Sequence, residues 1–218
     1  MDVFYSIVGF FASGGIFMYP ILLVFAVGVA IAIERYVTLS LVTRKNQSVW
    51  DKVQPLLSKG DFEQARRLTS DDDSTISQVL NMGLSLQGAV RRREDIEIAM
   101  EESMMEIVPR LEKRTPYVAL ASSIATLLGL LGTIMGLIQA FTSVANANPA
   151  EKADLLSASI SVAMNTTAFG LMVAIPLLIT HAVLTSKTGG IVDSLEMATV
   201  KALNVFSKRA KRQLGVAA

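Results

Sequence analysis

The stretch SISVAMNTTAFGLMVAIPLLI, residues 159–179, is apolar enough for a bilayer, yet Ser159, Ser161, Asn165, Thr166 and Thr167 crowd its first half. A second apolar run, TPYVALASSIATLLGLLGTIMGLIQAF, carries Ser122, Thr126, Gly129, Thr133 and Gly136 at intervals of four, three, four and three. That spacing sets them on one helical face, while Leu127, Leu128, Leu131, Ile134 and Leu137 cover much of the remainder. Ala163, Thr167, Gly170 and Ala174 form a matching small-residue face in the later run, with Ser159 and Thr166 beside it. A hydroxyl donates one hydrogen bond, accepts two and does not ionise at ordinary pH. It can therefore hold water or bond a carboxylate, but it cannot relay a proton as an acid or base.

Two uses fit such faces. One is packing: Gly132-xxx-Gly136 and its small neighbours, with Gly129, Gly170 and Pro176, let helices touch, and a Thr hydroxyl bonds its own i−4 carbonyl. The other is the lining of a polar cavity in an oligomer, because the polar residues of both runs point toward one inner face. No Asp, Glu, Lys or Arg lies deep in either run, and His181, the single histidine, falls near the end of the later one. The chain thus has no titratable relay of its own, and any carboxyl that binds protons here has to come from a partner. The absence of cysteine excludes disulfides and thiolate metal sites. No Ser/His set, Asp pair, metal cluster, P-loop or GxGxxG is present in the spans, so neither an intramembrane enzyme nor a bound cofactor or metal is expected.

The elements that carry these faces follow from composition. Half of the chain (51%) is hydrophobic, mean hydropathy is +0.47, and net charge is +1, which points away from nucleic acid. Residues 3–33, 115–150 and 155–186 contain no Asp, Glu, Lys or Arg, and about 20 helical residues cross a bilayer. The reading is an all-α integral membrane protein with transmembrane helices at 16–38, 116–141 and 159–185. Residues 1–15 form an outer-face amphipathic segment, 39–115 a helical cytoplasmic segment, 142–158 a short periplasmic loop, and 186–218 a cytoplasmic C-terminal helix. Basic residues concentrate in 44–114 and after Lys187, whereas 141–158 holds only Lys152. This asymmetry places the N-terminus outside and the C-terminus inside. The first 34 positions lack Lys and Arg, so the start reads as retained sequence and not a secretory signal.

Within 39–115, Gly60 ends one helix and Asp61 caps the next, whose buried side is Phe62, Ala65 and Leu68. After a cap region at Asp71-Asp72-Asp73, Ile76, Val79, Leu80 and Leu84 recur at helical spacing, and Ile96, Met100, Ser103, Met104, Ile107 and Leu111 form another stripe. This last helix is expected to run on into the second span, kinked but not stopped by Pro109 and Pro116. Beyond the third span, Ile191, Leu195, Ala198, Ala202 and Val205 mark a further amphipathic helix ending in SKRAKR. Its basic end suits anionic lipid, solvent or self-association.

GGIFMYPILLVFAVGVAIAIERYVTL, LLGLLGTIMGLIQAF and TTAFGLMVAIPLLITH, in that order and spacing, resemble the MotA/TolQ/ExbB ion-channel family. The three-span layout looks like its ExbB and TolQ branch. The resemblance implies a homopentameric ring, without enzymatic activity, whose lumen holds the single spans of two ExbD/TolR-type subunits, each with a membrane Asp. A TonB/TolA-like protein is a further candidate partner. Thr133 and Thr167 match the family's ion-path threonines, and Thr166, Ser159, Asn165 and Thr126 add polarity along that path or contact the partner's Asp. The driving ion ranks as proton first, sodium second. ExbB and TolQ carry a Glu in a GISEAL-like stretch where this chain has SISVAM, with Val162 in its place. MotA-type subunits lack that Glu too. The competing function is a passive membrane scaffold that recruits partners through its cytoplasmic helices.

Overall fold

The computed structural model describes residues 14–88, 92–145 and 147–215; the expected amphipathic segment 1–15 lies almost wholly outside them. Six helices follow in order: α1 (Met18–Lys59), α2 (Phe62–Ser70), α3 (Thr75–Leu86), α4 (Arg93–Glu112), α5 (Thr115–Ala145) and α6 (Lys152–Gly215). The stretches within Met18–Lys59, Arg93–Ala145 and Lys152–Arg209 are long and apolar enough to cross a membrane. The described residues divide into two compact units, those of 14–35 with 114–183 and those of 36–113 with 184–215.

The expected continuity of α4 into α5 is interrupted. Lys113 N–H closes α4 on the Pro109 carbonyl (3.0 Å), Arg114 takes φ +68°, and Tyr117 N–H restarts the ladder on the Arg114 carbonyl (3.1 Å). Pro116 favours the break, because it has no N–H to continue the ladder and its ring would strike the carbonyl of residue 112 in an unbroken helix, and the left-handed Arg114 two residues before it completes the interruption. Pro109, by contrast, stays inside α4. Residues 186–215 are helical as expected, and they continue the third span: α6 runs without a break through Gly189-Gly190, neither of which takes a positive φ. Two helical glycines cost about 0.5–1 kcal/mol each, and the burial of Leu184, Ile191, Leu195 and Ala198 outweighs that.

In the first unit, small residues face inward and large ones outward. Ala121, Ala125, Gly129, Gly132 and Ala140 of α5 are buried, while Leu127, Leu130, Ile134 and Ile138 are exposed. This is the pattern of helices that pack in lipid, where large apolar side chains gain nothing by hiding. A Cβ on Gly28 of α1 would meet both Leu177 of α6 and Ala121 of α5, so all three helices converge there.

The second unit is built on caps and an apolar core. As expected, Gly60 (φ +80°) ends α1, and Asp61 caps α2 by accepting from Gln64 N–H (3.2 Å). Phe62 packs edge-on against Phe206 at 5.3 Å. The cap of α3 is Ser74, which accepts from Ser77 N–H (3.3 Å), and not the preceding acidic triplet. Buried Asn46 ties α1 to α3, donating to the Thr75 hydroxyl (2.7 Å) and accepting from Ile76 N–H (3.3 Å).

Asp72 supports this cap from behind. Burial works against its ionisation, but the Ser74 hydroxyl and N–H (2.7 Å), the Ser77 hydroxyl (3.0 Å) and Lys45 (3.6 Å) outweigh it and hold the carboxyl below its ordinary value. A lowered native pKa means the unfolded chain binds more protons on acidification. The contribution is therefore present above the unfolded value and disappears as pH falls through the native one, below about pH 4. Asp72→Asn is expected to unfold more readily than the parent at pH 7 and to lose less stability on acidification, as read by thermal unfolding in detergent at both pH values.

Candidate functional site

α5 and α6 lie antiparallel along the two small-residue faces. A Cβ on Gly170 would sit 2.8 Å from the Ala125 carbonyl oxygen and 3.0 Å from Gly129 Cα, and one on Gly136 would sit 2.7 Å from Ala163 Cβ. Buried Ser122 crosses the same seam and donates to the Ala174 carbonyl at 2.7 Å. Backbones this close bring the side chains at the edge of the seam together. Thr133 Oγ1 and Thr167 Oγ1 stand 2.7 Å apart, both half-buried. Thr167 Oγ1 is 2.9 Å from the Gly129 carbonyl, and Thr133 Oγ1 is 2.9 Å from the Leu130 carbonyl and 3.2 Å from that of Gly129.

A proton inventory defines what this pair can bind. Each hydroxyl has one proton. One proton bridges the two oxygens and the other goes to a backbone carbonyl, whichever way the chain of bonds runs. Both donors are engaged, and the pair presents lone pairs to its surroundings. It is ready for a hydrogen-bond donor or a cation, such as a neutral carboxylic acid, a water O–H or a small monovalent ion. A carboxylate receives a hydrogen bond from it only if a hydroxyl lets go of its carbonyl.

The other candidates distribute differently. Thr166 is 2% exposed, and its hydroxyl donates to the Gly14 carbonyl, with Val162 O also at 3.0 Å. Its methyl lies against Gly132, so one residue of rotation along α6 takes it from the half-open edge to the packed interior. Thr126 is exposed and bonds its own Ser122 carbonyl (3.1 Å); Ser159 and Asn165 are half-buried. Pro176, assigned to packing, is exposed, while its neighbours Ala174 and Leu177 make the contacts. Ser122, absent from the expected site, forms the cross-seam bond; its place in the four-three repeat was the available signal.

Three helices long and apolar enough to cross a membrane, packed along a seam of small residues and hydroxyls, define an all-α multi-pass membrane protein. The chain belongs to the MotA/TolQ/ExbB proton channel family, whose profile matches residues 71–197 and so includes both threonines of the pair. It is similar to a putative biopolymer transport protein ExbB homolog of Methanothermobacter thermautotrophicus, 26% identical over 90% of this chain and 69% of the relative. An ExbB-like 3 protein of Synechocystis sp. is 30% identical over 77% of this chain and 79% of its own. The TolQ protein of the Haemophilus influenzae Tol-Pal system is 35% identical over 36% of this chain and 34% of its own.

Proposed function

We propose that this chain is the ring-forming subunit of an ion-driven motor of the inner membrane, of the ExbB/TolQ type. Five copies surround the single spans of two ExbD/TolR-type subunits. Ion passage, by protons ahead of sodium, turns or shifts one component against the other and does work on an envelope partner of the TonB/TolA kind. The N-terminus faces the periplasm and the C-terminus the cytoplasm. Thr133 and Thr167 serve the ion path, with Thr126, Ser159 and Asn165 along it.

The observation that carries this reading is the Thr133–Thr167 pair, half-open at the edge of a seam between charge-free spans. Its free lone pairs favour the protonated form of an incoming acid, so the partner's Asp docks when neutral and leaves when it ionises. The available energy is sufficient: one charge crossing ~100 mV releases roughly 2.3 kcal/mol, against roughly 0.6–2 kcal/mol for a polar helix contact in lipid.

The test is reconstitution with the single-span, Asp-bearing product of a neighbouring gene. Vesicles with both proteins should pass protons under an imposed gradient, read by an entrapped pH dye, and replacing sodium by potassium at a constant proton gradient should leave the rate unchanged. Vesicles no leakier than those with lipid alone, and no co-purifying single-span protein, would favour the scaffold.

A further inference from the structure

Outside the apolar spans, α4 and α6 enclose a groove of about 710 Å³ with Met104, Met105, Val108, Val200 and Leu203 among its lining residues. Met105 is 73% and Val200 52% exposed. Glu97, Glu101 and Glu196 rim the groove, and their charges keep acyl chains from covering it. Glu97 pairs with Arg93 along its own helix, whereas Glu101 and Glu196 join no ion pair among the described residues. The complementary surface lies on the same unit. Val37, Leu41, Arg44 and Lys52 are exposed on one face of α1, and neither Arg44 nor Lys52 has an ionic partner among the described residues.

The heights of these groups agree. Lys187 lies 4.0 Å from the Tyr36 ring centroid and donates to Ser40 (2.5 Å), and Lys201 lies 5.6 Å from that of Trp50, so α6 runs parallel to α1. Thr199 Oγ1 meets Met104 Sδ at 3.7 Å, which sets the level of α4 on α6. Stepping along the helices from these contacts puts Lys52 level with Glu101 and Arg44 level with Glu196, each within about one turn. A rotation axis parallel to the helices preserves height, so in a closed ring a residue meets what stands at its own level on the next copy.

We infer that the acidic groove between α4 and α6 receives the α1 face of a neighbouring copy, with Lys52 against Glu101, Arg44 against Glu196, and Leu41 at the Val192 end of the groove. The inference rests on the ring reading above and locates one contact between its subunits. Apolar contact supplies the attraction, and the two ion pairs set register and direction.

Because the chain has no cysteine, the test has no thiol background. Full-length chains carrying Lys52→Cys and Glu101→Cys, co-expressed and treated in membranes with a short bis-maleimide, should form a crossed dimer. Lys52→Cys with Glu63→Cys should not. Lys52→Glu should lower the yield of an Arg44→Cys/Glu196→Cys crosslink roughly fivefold, and adding Glu101→Lys should restore it. An intact oligomer by native mass spectrometry without the 52/101 crosslink overturns the inference and leaves the ring in place, as does capture of the Glu101→Cys chain by a different polypeptide. A monomer in that measurement overturns both.

Discussion

Thr167→Val is expected to reduce ion-driven proton flux about 10- to 100-fold while the chain folds and assembles as before. Valine reproduces the shape of threonine, so the α5–α6 contact at Gly129 keeps its geometry. What disappears is the hydroxyl that stands 2.7 Å from Thr133 and 2.9 Å from the Gly129 carbonyl. Polar contacts between helices in lipid average about 0.6 kcal/mol, a small part of the packing of three spans. Leaving the neutral acid's O–H without its acceptor in the apolar interior costs about 1–3 kcal/mol, which gives the stated range in rate. Thr133→Val should fall in the same range. The double variant should be little worse than either single one, because each hydroxyl completes the other's hydrogen-bond chain and the two act as a unit. Thr167→Ser should retain flux, since the oxygen and its proton remain. Thr166→Val provides the contrast: it loses the bond to the Gly14 carbonyl and should lower the unfolding midpoint with much less effect on flux per folded molecule. Flux measured in vesicles, together with native mass spectrometry of the same samples, checks each of these. Full flux in the double variant would remove the pair from the ion path and leave the scaffold as the better account.

The contrast between Thr166 and Thr167 also shows where reading the sequence stops. A four-three repeat identifies which residues share a face, and it placed Ser122, Gly129, Thr133 and Gly136 together on the side where α6 packs. Adjacent residues on a helix differ by about 100°, so both Thr166 and Thr167 can belong to a polar edge until the neighbour on each side is known. The Gly14 carbonyl, more than 150 positions away in sequence, decides that Thr166 faces the interior. Local signals were sufficient where the cause is local, as at Gly60 and Asp61. At the break before α5 the local signal is incomplete: Pro116 and Pro109 both lack the N–H a continuous helix needs, and only the left-handed Arg114 distinguishes the interrupted site from the unbroken one. The unbroken course of α6 through Gly189-Gly190 has no local signal, since glycine disfavours a helix and the burial of Ile191 and Leu195 that offsets it depends on packing against other helices. The apolar stripes at Ile76–Leu84 and Ile96–Leu111 were readable from periodicity alone, for burial repeats with the helix that carries it.

Gly170→Ala is expected to destabilise the three-span unit by about 1–3 kcal/mol, and Gly170→Leu to prevent its assembly. The added Cβ would lie 2.8 Å from the Ala125 carbonyl oxygen and 3.0 Å from Gly129 Cα. Both are backbone atoms, so no rotamer change relieves the overlap and the helices themselves must separate. Separation weakens the dispersion contact that holds helices together in lipid, stretches the Ser122 bond to the Ala174 carbonyl, and pulls Thr133 away from Thr167 one turn along. Flux should therefore fall with stability, unlike in Thr167→Val, where flux falls alone. Gly190→Ala is the matched control: nothing lies within 4 Å of its added Cβ, and removing a helical glycine should raise stability by about 0.5–1 kcal/mol. Thermal unfolding in detergent separates the two outcomes. An unchanged midpoint for Gly170→Ala would mean that α5 and α6 do not approach closely enough to hold the two hydroxyls at bonding distance, and the pair would lose the support on which its chemistry depends.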